Sequence, residues 1–237
     1  MNRLGQGTSL YFSLIVGSLF IVALSVACSN RPSPTVVPNT PTPPPAPTAI
    51  PVAGTIVALG DSLTEGYGVD PNQSYPAQLE RKLHESGYQW NVVNAGVSGE
   101  TSSGARSRIG WVIDSLRPDI VILATGGNDS LRAIDPTVTE ENLRVLVETL
   151  QAANVTVILA GMQTIENMGP DYTAAFRAIY PKVAEEYGLL FIPFLLEGVA
   201  GDPQLNQEDF IHPTAQGYTI VVETVYPYVV EAIDTRD

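Results

Sequence analysis

Basic residues are scarce in this chain. Twelve Lys and Arg stand against 25 Asp and Glu, a formal net charge of −13. Nucleic-acid binding needs a basic face and attraction to anionic lipid headgroups needs basic clusters, so the charge argues against both. Cysteine is scarcer still. Cys28 is the only one, which rules out an intramolecular disulfide. The two histidines, His84 and His212, stand far apart, and no Cys/His cluster has the spacing that holds structural zinc. No internal repeat is visible. What the chain does have is apolar mass, 44% of its residues. That is enough for a full core in one domain with a short appendage.

The N-terminus reads as a targeting segment. Arg3 is the only early charge, and an apolar run from Leu10 to Ala27 ends in Leu24-Ser25-Val26-Ala27-Cys28. A basic start, an apolar middle and small residues before a cut point describe a secretory signal over residues 1–27. The lone Cys28 resembles the acylated residue of a lipobox, with Leu24 one place earlier than usual and Ser25 in its position. The alternatives are a free Cys after an ordinary signal peptide, or an uncleaved anchor of marginal length. The favoured reading has the chain exported across a bacterial cytoplasmic membrane and tethered to the envelope as a lipoprotein, with the membrane as partner. Residues 28–53 are dominated by Pro and Thr, as in Pro41-Thr42-Pro43-Pro44-Pro45. Proline removes backbone donors and favours an extended, solvated chain, so this is a disordered spacer rather than part of a core. The folded domain is expected over residues 54–237.

Five apolar runs follow: Thr55–Leu59, Asn91–Ala95, Asp119–Ala124, Val155–Ala160 and Leu189–Phe194. They are rich in Val, Ile and Leu, as strands buried on both faces are. Between them lie helical patterns. Leu143, Leu146, Val147 and Leu150 share one face, as do Phe176, Ile179, Tyr180, Val183, Ala184 and Tyr187, with Gly188 as a stop and Pro181 as an expected kink. Ser74 is placed to cap a helix through Leu79 and Leu83, and Val221, Val225, Tyr228, Val229 and Ala232 mark a last one. The alternation predicts a parallel sheet with helices on both faces.

Such sheets bind ligands beyond the carboxyl ends of their strands. Gly60-Asp61-Ser62-Leu63-Thr64 follows the first run, Gly96-Val97-Ser98-Gly99-Glu100-Thr101 the second, and Thr125-Gly126-Gly127-Asn128-Asp129 the third. Asp209-Phe210-Ile211-His212-Pro213 comes after the fifth. Each string alone reads as a turn or a cap. Together, at one sheet edge, they supply a chemistry. A serine hydroxyl needs a base, and the base needs a carboxylate to fix its tautomer. Ser62, His212 and Asp209 fill these roles, with Pro213 expected to open the following helix. The backbone N–H groups of Ser62 and Gly99 and the Asn128 amide are available to an oxyanion. His84 lies among polar residues and is expected to be exposed. Met162, Ile165 and Met168 after the fourth run, with Leu195 and Leu196 after the fifth, are candidates to wall an apolar groove beside Ser62, or else to plug the core.

These residues resemble the SGNH hydrolases, also called GDSL lipases/esterases, whose four blocks fall here on Ser62, Gly99, Asn128 and His212. The resemblance runs from about Gly54 to Asp237 and is greatest to the bacterial thioesterase I/lysophospholipase L1/arylesterase branch. It is carried by Gly60 to Tyr67, by Asn94-Ala95 through Thr101, by Leu123 to Asp129, and by Ala178-Ile179-Tyr180-Pro181-Lys182. It implies a three-layer α/β/α sandwich with a five-stranded parallel sheet, flavodoxin-like, and Asp209 as the third triad member. It implies a serine esterase acting through an acyl-enzyme on short to medium acyl esters, aryl esters, acyl thioesters or lysophospholipids. No cofactor or metal is expected, and the chain is taken as a monomer. Glu100 departs from the branch, which often has Asp. Thr64 breaks the Gly-x-Ser-x-Gly elbow of α/β-hydrolases. Rival readings are a carbohydrate O-deacetylase on the same scaffold, a metal-dependent hydrolase using Asp61, Asp129 and Asp209, and a non-catalytic surface binding protein.

Overall fold

The computed structural model describes residues 52–164 and 168–236. The signal segment, Cys28, the spacer up to Pro51 and Ile165 lie outside the described residues.

Five runs become five parallel strands: β1 (Gly54–Gly60), β2 (Trp90–Gly96), β3 (Ile120–Ala124), β4 (Thr156–Ala160) and β5 (Leu190–Ile192). Their order is β2-β1-β3-β4-β5. The central β3, Ile-Val-Ile-Leu-Ala, is buried at every residue. The outer strands differ from the expectation. Asn91 and Asn94 of β2 are exposed between buried Trp90, Val92 and Ala95, because an edge strand is covered less completely than a central one. β5 stops at Ile192, where Pro193 has no N–H to extend the ladder.

Among the described residues seven α-helices connect and cover the strands: α1 (Ser62–Glu65), α2 (Tyr75–Glu85), α3 (Ser102–Trp111), α4 (Gly127–Leu131), α5 (Pro136–Ala152), α6 (Pro170–Tyr187) and α7 (Ala215–Asp234). Helix α2 packs on α7, while α3 packs on α5 and α5 on α6, giving the layers of an α/β/α sandwich. The expected apolar stripes face the core: Leu143, Leu146, Val147 and Leu150 are fully buried, and so are Phe176 and Val183. Helix α6 remains helical on both sides of Pro181, and α7 does the same around Pro227.

Two helix starts differ from expectation. Ser74 sits at the N-cap of α2, but its hydroxyl donates back to the Pro71 carbonyl at 2.8 Å instead of accepting from the helix. Helix α7 starts at Ala215, beyond Pro213. Its cap is Thr214, whose Oγ1 accepts from the Gly217 N–H at 3.2 Å. His212 therefore belongs to the loop before the helix.

In register, Gly60 of β1 lies beside Gly96 of β2 and Ala124 of β3. Three strands thus end level, with β1 between the other two. The chain leaves β1 toward one neighbour and later enters the other, so the connections diverge at this point and open a crevice.

Candidate active site

Asp61 and Ser62 are the first residues past β1. Asp61 caps α1, its Oδ1 accepting from the Leu63 N–H at 3.0 Å, and this places Ser62 at the start of the short helix. His212 arrives from the far end of the chain. Its Nε2 lies 2.8 Å from Ser62 Oγ and its Nδ1 2.6 Å from Asp209 Oδ2. Asp209 Oδ1 also accepts from the N–H groups of Ile211 (2.9 Å) and His212 (3.0 Å). Partial burial works against the Asp209 charge, but the donors from His212 and Ile211 outweigh it and bring the carboxyl down to about 2. An ionised carboxylate only accepts, so Nδ1 of the neutral ring carries the hydrogen and Nε2 is left to accept from the Ser62 hydroxyl.

Asn128 enters through α4, just past β3. Its Nδ2 donates to the Glu100 carbonyl at 3.0 Å and to Asp61 Oδ2 at 3.3 Å. It thereby ties the segments after β1, β2 and β3 together. Asp61 is almost wholly buried, and burial pushes its carboxyl up to about 6 against the pull of Leu63, His212 and Asn128. The backbone N–H groups of Ser62 and Gly99 have no hydrogen-bond acceptor among the described residues. Gly126 precedes α4 with φ +107°, and a Cβ there would meet Tyr180 Oη at 2.2 Å. Only glycine lets the chain turn into α4 so close to that hydroxyl, which donates to the Thr125 carbonyl at 2.9 Å.

Several supporting residues carry no signal in the sequence. Glu100 forms a two-point ion pair with Arg108 (2.8 and 2.7 Å), and Arg108 Nη2 also donates to the Ala95 carbonyl at the end of β2 (2.8 Å). The residue that departs from the family pattern thus anchors the loop that carries Gly99. Arg132 donates to the Gly99 carbonyl at 2.7 Å. The Tyr67 ring lies against His212, centroids 4.7 Å apart. Asp129 faces away from Ser62, accepting from Ser102 N–H (2.8 Å), Ser102 Oγ (2.5 Å) and Thr139 Oγ1 (3.2 Å). Among the described residues, Asp61, Asp129 and Asp209 form no group able to hold a metal ion. His84 is exposed, with Nε2 3.0 Å from the Trp90 carbonyl.

Ser62, Asn128 and His212 open onto a cavity of about 500 Å³. Its apolar lining includes Met162, Leu196, Phe194, Leu131, Phe210 and Ile211. Two of the expected wall residues are elsewhere. Leu195 is fully buried in the core, since adjacent residues in this turn face opposite ways, and Met168 lies outside the lining.

A parallel five-stranded sandwich carrying these groups at its carboxyl edge has the build of an SGNH hydrolase. The crystal structure of AlinE4, an SGNH-hydrolase family esterase, matches it with a TM-score of 0.66 at 40% identity, covering 78% of this chain and 98% of that one. The chain belongs to the GDSL-like lipase/acylhydrolase family, whose model matches residues 58–220, and it is by class a carboxylic ester hydrolase. It is 36% identical to the esterase TesA of Pseudomonas aeruginosa over 175 residues, covering 74% of this chain and 87% of that protein. It is also 36% identical to thioesterase 1/protease 1/lysophospholipase L1 of Escherichia coli K12 over 171 residues, covering 72% and 81%.

Proposed function

We propose that the domain is a serine esterase that works through an acyl-enzyme. The observation that carries this reading is the line from Asp209 through His212 to Ser62, with contacts of 2.6 and 2.8 Å. Ser62 Oγ attacks the ester carbonyl carbon while its proton passes to His212 Nε2. The tetrahedral adduct then collapses. Its C–O bond to the alcohol breaks, and the imidazolium returns the proton to the departing oxygen. Water then repeats the cycle: His212 takes its proton as the water oxygen bonds to the acyl carbon, the acyl–Ser62 bond breaks, the imidazolium returns the proton to Ser62 Oγ, and the acid leaves. Asp209 holds the ring tautomer and balances the transient imidazolium. The N–H groups of Ser62 and Gly99 receive the oxyanion, joined by the Asn128 N–H that now makes the longer bond to Asp61.

The cavity is the proposed acyl site. Its apolar lining, with Met162 adaptable in shape, fits short to medium acyl chains without demanding one length. Relatives named esterase, arylesterase and thioesterase/lysophospholipase support carboxylic esters, aryl esters among them, as substrates and extend the reading to acyl thioesters and lysophospholipids. For Cys28 we propose lipidation, which would hold the domain at a membrane on several acyl chains. Mass spectrometry of the mature N-terminus tests it, and an unmodified Cys28 or a start beyond it would refute it.

The test of the esterase reading is labelling with a fluorophosphonate followed by peptide mapping. Label on Ser62, lost in Ser62→Ala along with ester turnover, is the expected result. Normal turnover by Ser62→Ala would end the proposal.

A further inference from the structure

His212 and Asp209 sit on a loop that closes on itself. The Gln207 N–H donates to the His212 carbonyl at 2.8 Å, Thr214 N–H to the Leu205 carbonyl at 2.8 Å, and Phe210 N–H to the Gln207 carbonyl at 3.0 Å. These bonds fix the carboxylate and the imidazole relative to each other. They do nothing to fix either relative to Ser62, which is 150 residues away in sequence.

A second set of contacts does. The Tyr67 N–H donates to the Ser62 carbonyl at 3.1 Å, so the turn after α1 is hung on the serine itself. Gln207 Nε2 donates to the Tyr67 carbonyl at 2.7 Å and to the Pro213 carbonyl at 3.0 Å. Two carbonyl oxygens can be served only by the NH2 side of the amide, so its orientation is determined. The contacts form a closed circuit: Ser62 to Tyr67, Tyr67 to Gln207, Gln207 to His212, and His212 back to Ser62. Apart from the Ser62–His212 contact, the Gln207 amide supplies the only hydrogen bond between residues 62–69 and 205–214 among the described residues. Gly68, at φ +79°, leaves the room it needs, since a Cβ there would lie 2.1 Å from Gln207 Oε1.

We propose that Gln207 is a positioning residue that holds the imidazole of His212 at attacking distance from Ser62. The inference rests on the serine-esterase reading, in which that distance governs proton transfer. A partly exposed glutamine in a loop adds little to the fold, so its loss should appear in the chemistry. A misplacement well under 1 Å is enough to cost about tenfold in rate.

The experiment uses the full chain with a p-nitrophenyl ester, counting competent sites by fluorophosphonate titration. Gln207→Ala should lower kcat about tenfold, leave KM within about twofold, and slow Ser62 labelling in proportion. Gly68→Ala should also lower kcat, because the new methyl displaces the amide. In the Gln207→Ala background the same methyl should change kcat far less, because the group it displaces has gone. Should Gln207→Ala not fold, Gln207→Glu keeps the shape while turning an oxygen toward both carbonyls, and must show the same loss of kcat. Unchanged kcat, a loss confined to KM, or losses from Gln207→Ala and Gly68→Ala that simply multiply would overturn the inference. Label on a residue other than Ser62 would instead defeat the esterase reading.

Discussion

Replacing Asp61 by Asn should change how stability depends on pH. The Asp61 carboxyl is 2% exposed, and burial raises it from an ordinary 3.8 to about 6. An acid with a higher pKa in the folded than in the unfolded chain binds its proton more tightly when folded. Its contribution is therefore fully present below 3.8 and is lost as pH rises through about 6. The gap between the two values corresponds to about 3 kcal/mol at 25 °C. Asn is neutral throughout, so it removes this dependence. Its Oδ1 can still accept from Leu63, but its NH2 then meets the Asn128 amide donor to donor, which costs on the order of 1–3 kcal/mol. That cost does not vary with pH, so the pH trend isolates the ionisation. Urea unfolding of parent and Asp61→Asn at intervals from about pH 4 to pH 7 measures it. Carboxylates not coupled to Asp61 cancel in the comparison. The variant should gain about 2.4 kcal/mol on the parent across that range, most of it between 4 and 6. A difference constant to within about 0.5 kcal/mol, or one that shrinks as pH rises, would mean that folding does not raise the Asp61 carboxyl.

Asn128→Ala should lower kcat by about 10²–10³ with little change in KM, measured by steady-state kinetics, because an oxyanion donor acts on the transition state. Gly126→Ala should cost on the order of 2–4 kcal/mol in urea unfolding, from positive φ and the clash with Tyr180 Oη together, and Tyr180→Phe should recover part of it. Across p-nitrophenyl esters, kcat/KM should rise with each methylene, by up to about 0.8 kcal/mol in transition-state binding, until the cavity is full. Leu196→Trp should shorten the best chain. A preference for acetate with a steep fall at butyrate would favour a deacetylase instead.

The sheet was legible because Val, Ile and Leu fill β1, β3 and β4 without a polar break, as strands covered on both faces require. The edges were harder. The polar Asn91 and Asn94 are tolerated because β2 has one neighbour, and β5 ends on the covalent chemistry of Pro193 rather than on hydrophobicity. Ser62 and Asn128 could be gathered in advance because each lies just past a strand end, and His212 because it stands before the last helix with Asp209 three residues ahead of it. The cavity wall could not be read the same way. Leu195 and Leu196 are chemically identical neighbours in an irregular turn, and only the folded backbone decides which faces the substrate side. The Gln207 tie depends on the path of the turn at Tyr67, and no local pattern encodes that path.

The self-closed loop around Asp209 and His212 makes the acid–base pair a cassette. Both partners share one short piece of chain, and Asp209 grips the backbone as well as the ring. Insertions or substitutions upstream, between Pro193 and Gln204, can shift the cassette as a rigid piece. They cannot easily pull carboxylate from imidazole. The only catalytic distance such changes can readily alter is the one from ring to serine. The scaffold can therefore vary the wall of its cavity in that stretch while exposing a single coordinate to error.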